Sequence, residues 1–190
     1  MMRALFALLV TASSVAAQDT EAGRDAGLMA WDRIYSVASH PRCTNCHVGA
    51  QEEPMWNGLS YGPEAKAHGM NIKADDSRIG AESIPCRTCH VTSERPNTVA
   101  YAAPQLLEAW RLPPVEMAWL GKDSATLCRM LRAADQTDGA NIQELVAHVQ
   151  SSPFVAWGFN PGGGRSAPPG TPSDFARDIA HWGQALTPCR

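Results

Sequence analysis

Two short runs constrain this chain more than anything else in it: "CTNCH" at 43–47 and "CRTCH" at 86–90. At the chain's own Cys and His frequencies a Cys-x-x-Cys-His match is expected roughly 0.006 times, so finding two calls for a chemical reason. Covalent haem attachment supplies one. Thiols at i and i+3 form thioethers to the two vinyl groups on one haem edge, and the histidine that follows lies under the iron as its proximal ligand. On this reading Cys43, Cys46, Cys86 and Cys89 tether two c-type haems, and His47 and His90 ligate their irons. Two Cys-x-x-Cys knuckles around one zinc ion are the main rival, but they leave the histidine after each pair unexplained. A thioredoxin-like dithiol needs a βαβ setting, and no alternating strand pattern flanks either run.

The first residues, "MMRALFALLVTASSVAAQ", combine a basic start at Arg3, an apolar stretch from Leu5 to Val10 and small residues at Val15-Ala16-Ala17. This predicts a signal peptide over 1–17, cut before Gln18, and therefore an exported, periplasmic protein. The apolar stretch falls short of the roughly 20 residues that span a bilayer, and no later segment is long enough, so no stable membrane insertion is expected. Residues 18–190 suit one domain. In an exported chain the six cysteines should be consumed by a cofactor or by disulfides. Four go to the haems, which predicts a bridge between Cys128 and Cys189. The formal charge is −3 with Lys and Arg scattered, and the absence of a basic stripe argues against nucleic acid as a partner.

Only 39 positions separate His47 from Cys86, too few for each haem to own a separate single-haem domain, so the two haems must share one fold and lie near each other. Leu28, Trp31, Ile34, Tyr35 and Ala38 fall at helical spacing. Further helices are expected at about 123–133 with Asp123 or Ser124 as cap, at 141–150 with Asn141 and Glu144 as a capping box, and at 173–186 with Ser173 as cap. Pro96, Pro104, Pro113 and Pro114 break the stretch after the second motif into short pieces that wrap rather than form long elements. The run "PFVAWGFNPGGGRSAPPGTP" reads as a long ordered loop. Its glycines lack the Lys-Ser/Thr of a phosphate-binding loop. No strand pattern stands out. The expected fold is mainly α with extensive loops, a single compact dihaem cytochrome c domain.

The sixth ligand at each iron decides the chemistry: histidine gives a low-potential haem, methionine raises the potential, and an open position permits binding and catalysis. His68, in "EAKAHGMNIKADD", lies about midway between the motifs and can fold back over either haem, with Met70 as a competitor two residues on. His40 precedes Pro41 and stands close to Cys43. Its own haem is a tight reach, so the second haem is the better target if it ligates. Met117 and His148 are the alternatives, and His181 falls on the polar side of its helix.

The succession "HPRCTNCH", "HGMNI", "CRTCH", "AWRLPPVEMAWLG" and "VAWGFNPGGGR" resembles a family of small exported dihaem proteins, over nearly the whole of 18–190. Members are often labelled isoquinoline 1-oxidoreductase subunits, a label that implies a molybdenum hydroxylase as partner rather than an activity of the chain itself. A looser resemblance is to the small dihaem subunit of periplasmic nitrate reductase, in which a histidine precedes each motif and both irons are bis-His. That likeness implies His40 with Cys43, Cys46 and His47, and His68 with Cys86, Cys89 and His90, though the short gap from His40 to Cys43 departs from the pattern and leaves open which histidine serves which iron.

The function expected is therefore single-electron transfer between a redox enzyme and a respiratory acceptor, by a protein that is not itself an enzyme. The alternative is a small haem enzyme, a peroxidase or sulfur-compound dehydrogenase, or a haem sensor, with one open iron position. No acid–base constellation that would serve such an enzyme is visible.

Overall fold

The computed structural model describes residues 8–58, 62–94, 102–136 and 141–190. Four helices build the larger hydrophobic core: α1 (Leu8–Ala38), α3 (Ser124–Gln136), α4 (Ile142–Ser151) and α6 (Pro172–Gln184). The apolar stripe of α1 buries Trp31, Ile34 and Ala38 against Leu127 and Cys128 of α3 and Phe175, Ile179 and Trp182 of α6. Trp31 and Trp182 meet with ring centres 5.2 Å apart, and the Trp31 indole N–H donates to Ser124 Oγ at 2.8 Å. Polar groups at this seam are paired: Arg33 reaches the buried Asp178 carboxylate at 2.8 Å.

Two glycines let the helices approach closely. A side chain at Gly27 of α1 would collide with Ala185 and Pro188, and one at Gly183 of α6 would stand 2.6 Å from Ile142 of α4. Past α6 the chain turns back, and Cys189 forms a disulfide with Cys128 of α3, the pairing expected from the cysteine count.

Helix starts follow local chemistry. Asp123 Oδ1 accepts from Thr126 N at 2.7 Å at the head of α3, and Asn141 and Glu144 form the expected capping box on α4. On α6 the cap is Thr171, paired reciprocally with Asp174, and not Ser173, because Pro172 is suited to the first helical position and moves the start forward. The expected loop after α4 also contains a helix, α5 (Pro153–Phe159). Its Pro153 sits in the first turn, where the missing N–H costs nothing.

Between the two motifs lies a hairpin the sequence did not announce: β1 (Met55–Gly58) pairs antiparallel with β2 (Gly62–Ala67), Met55 opposite Ala67 and Trp56 opposite Lys66. Its residues include Gly, Pro, Glu, Lys and Ala, all poor in strand propensity. Backbone pairing and the Trp56 indole bond to Ala67 O at 3.0 Å hold it. A second small cluster of Val48, Ala74 and Leu112 packs under this region. From 102 to 123 the chain is an irregular strap, helical only in a short turn at Val115–Met117.

The expected mainly helical, single-domain fold with extensive loops is what the described residues form. The expected leader, 1–17, falls partly outside them: residues 1–7 are not described, and residues 8–17 contribute backbone to α1. Among the described residues no helix is long and apolar enough to cross a membrane.

Candidate functional site

Each Cys-x-x-Cys-His run winds into one helical turn. In the first, α2 (Pro41–Thr44) begins at Pro41 with His40 as cap, and His47 N donates to Cys43 O at 3.1 Å. In the second, a 3₁₀ turn spans Cys86–Thr88 behind Pro85, and His90 N donates to Cys86 O at 2.9 Å. The turn places positions i, i+3 and i+4 on one side, so both cysteines and the histidine of each motif share a face.

The two histidines are held in the same way. His47 Nδ1 lies 2.7 Å from Met117 O, and its ring stacks on Trp119 at 3.6 Å and 8°. His90 Nδ1 lies 2.9 Å from Pro104 O, and its ring stacks on Trp110 at 4.2 Å and 18°. A carbonyl oxygen only accepts, so each Nδ1 carries the hydrogen and each Nε2 keeps its lone pair free, the arrangement that prepares an imidazole for a metal. Burial pushes the His47 imidazole down to about 4 and lowers that of His90. Both are neutral at neutral pH. Burial also raises the thiols of the first motif, Cys43 to about 12 and Cys46 to about 11.

A predominantly apolar cavity of about 370 Å³ opens beside the second motif, within the roughly 300–1,000 Å³ of small-molecule sites. Cys86, Cys89, His90 and His68 all line it. The His68 and His90 rings have their centres 6.1 Å apart at 45°. His68 arrives at the end of β2, its N–H donating to Pro54 O at 2.8 Å. Gly69, Met70 and Asn71 then take φ of 87°, 54° and 54°, a left-handed turn that Gly and Asn accommodate. The Nδ1 of His68 is buried without a hydrogen-bond partner.

Cys46 of the first motif also lines this cavity, which brings the two motifs together as their spacing required. One wall is cationic. Arg42 lies 5.8 Å from the Trp157 ring centre, Arg165 donates to Ala102 O at 2.8 Å, and the Trp157 indole nitrogen is buried without a partner. Such a cavity, apolar with cationic and N–H donors at one side, fits a flat macrocycle carrying carboxylates.

The other sequence candidates fall elsewhere. His40 does not line the cavity, and its Nδ1 accepts from Arg42 N at 3.1 Å as the cap of α2. Met117 stands behind His47, supplying the carbonyl, while its side chain packs on the helical core. His148 is exposed on α4 and close enough to His47 for its charge to depress the latter's pKa. Trp110 and Trp119 were missed. Ala-Trp also occurs at 30–31 and 156–157, so the sequence carried no signal that set Trp110 and Trp119 apart. Among the described residues no three His, Cys, Asp or Glu side chains converge as a bare metal ion would require. Comparison with protein-family models, curated proteins and solved structures finds no match for the chain.

Proposed function

We propose that this chain is an exported dihaem c-type cytochrome that passes single electrons between a redox enzyme and a respiratory acceptor. The observation that carries the reading is the pair His68 and His90, which line one cavity with 6.1 Å between ring centres. Two imidazoles bonded to one metal at about 2 Å, with about 1.1 Å from nitrogen to ring centre, stand about 6.2 Å apart. Cys86 and Cys89 would tether the haem at this site, and Arg42, Arg165 and the Trp157 indole would receive its propionates. Cys43, Cys46 and His47 would hold the other haem, with His148 in place of His40 as its distal ligand, since His40 is engaged as a helix cap.

Bound haem would supply reversible one-electron iron chemistry. The polypeptide's part is to keep both proximal imidazoles neutral and oriented, to exclude water with the stacked tryptophans, and to hold both motifs beside one cavity. The resemblance to exported dihaem subunits adds a partner class, a larger redox protein such as a molybdenum hydroxylase, and a periplasmic setting. With His68 opposite His90, the reading of an open iron as in a haem enzyme or sensor has less support.

Near-infrared magnetic circular dichroism of the ferric protein carrying both haems tests the proposal. Two bis-His signatures are expected. A His/Met band, or a high-spin component that binds CO on reduction, would contradict it and favour the enzyme or sensor.

A further inference from the structure

Arg78 is buried, 8% exposed, and takes a left-handed φ of 60°. Among the described residues its guanidinium donates only to main-chain carbonyls: Nε to Pro113 O at 2.7 Å, Nη2 to Val48 O at 2.8 Å, and Nη1 to Asp75 O at 3.5 Å. Its own carbonyl accepts from Leu112 N at 2.8 Å. These partners matter because of where they lie. Val48 directly follows His47. Leu112 and Pro113 sit between Trp110 and Trp119, in the strap that supplies every support of both histidines: Pro104 O and Trp110 for His90, Met117 O and Trp119 for His47. One side chain thus pins the middle of the strap to the backbone beside the first motif.

The charge is as telling as the bonds. A guanidinium stays protonated in proteins, and among the described residues Arg78 makes no ion pair. The acidic groups that act on it from a distance, Glu116 and Asp76, are exposed and therefore screened. Its guanidinium donates to the carbonyl of Val48, next to His47, and the carbonyl of Ile79, next to Arg78, accepts from Cys86 N at 3.0 Å, so Arg78 stands close to both motifs. Charge in a buried setting acts more strongly than at the surface.

We propose that Arg78 is a positioning residue shared by both haem centres, clamping the strap that orients His47 and His90 and holding a fixed positive charge beside both, which favours the reduced state of each. The inference rests on the haem reading above. A centre that gains an electron becomes less positive, so a neighbouring buried cation stabilises the reduced form relative to the oxidised one and raises the reduction potential.

The test is an optical redox titration of the full exported chain, wild type against Arg78→Gln and Arg78→Lys, with ferric spectra to check ligation. Arg78→Gln should lower both midpoint potentials while both haems stay low-spin. Arg78→Lys, which keeps the charge and loses most of the fork, should hold potentials close to wild type with reduced resistance to denaturant. Intact low-spin haems with unmoved potentials in Arg78→Gln, or a shift at one haem alone, would overturn the shared role. If Arg78→Gln does not accumulate, Arg78→Lys decides: wild-type potentials support the proposal, and potentials that drop overturn it. A wild-type chain lacking covalent haem would instead overturn the underlying reading, and the absence of a haem spectrum identifies that outcome.

Discussion

His68 and His90 line one cavity with ring centres 6.1 Å apart at 45°, brought together by a hairpin and a left-handed turn rather than by any shared element. His90 is anchored on its far side by a carbonyl and a tryptophan. The Nδ1 of His68, by contrast, has no partner. His90 is thus held by the strap, whereas His68 is placed only by the end of β2 and the turn that follows it.

Replacing His68 by Ala should consequently leave the second haem attached and change its spin state. One haem of the two is expected to become high-spin or water-ligated in the ferric spectrum and to bind CO when reduced. A spectrum identical to wild type would refute the assignment of His68.

His40 and His148 separate in the same kind of experiment. His148→Ala should alter the ferric spectrum of the other haem. His40→Ala should leave both spectra intact and cost about 1 kcal/mol of stability, the usual loss for a helix cap, read from the denaturant midpoint. The reverse pattern would return His40 to the iron.

Much of this site was visible in the sequence, for a physical reason. The residues proposed as haem tethers and proximal ligands lie in contiguous runs, because covalent attachment would need two thiols and a base at fixed local spacing. The capping box at Asn141 and Glu144 is equally local. What was not legible depends on distant backbone. The acceptors of His47 and His90 are carbonyls of Met117 and Pro104, and any residue carries a carbonyl. Trp110 and Trp119 lie in a proline-broken stretch without a periodic pattern to mark them. The hairpin over 55–67 escaped because its pairing rests on main-chain bonds and one indole rather than on alternating apolar side chains.

The disulfide closes a separation of 61 residues between Cys128 and Cys189. Converting both cysteines to Ser should destabilise the protein by about 4 kcal/mol on the chain-entropy relation, measured by urea denaturation. A loss below about 1 kcal/mol would mean that the contacts of Trp182 and the C-terminal segment already restrain the chain without the bridge.

Acid should weaken the start of α6. The Asp174 carboxylate is held below its ordinary range, first by the Thr171 hydroxyl and then by Arg177. A depressed folded-state pKa contributes stability above the unfolded value of about 3.9, and that contribution is lost as pH falls through the folded-state value. Asp174→Asn should therefore be less stable than wild type at neutral pH, with the difference narrowing below about pH 4. A difference that stays constant with pH would show that the capping geometry matters and the charge does not.

Whether the chain carries two covalently held haems is read from the intact mass of the exported protein, matured where c-type haem attachment operates. The expected result is a polypeptide heavier by two haem groups that survive acid–acetone extraction, with no free thiol remaining. A mass equal to the bare polypeptide, with Cys43, Cys46, Cys86 and Cys89 open to alkylation, would contradict it.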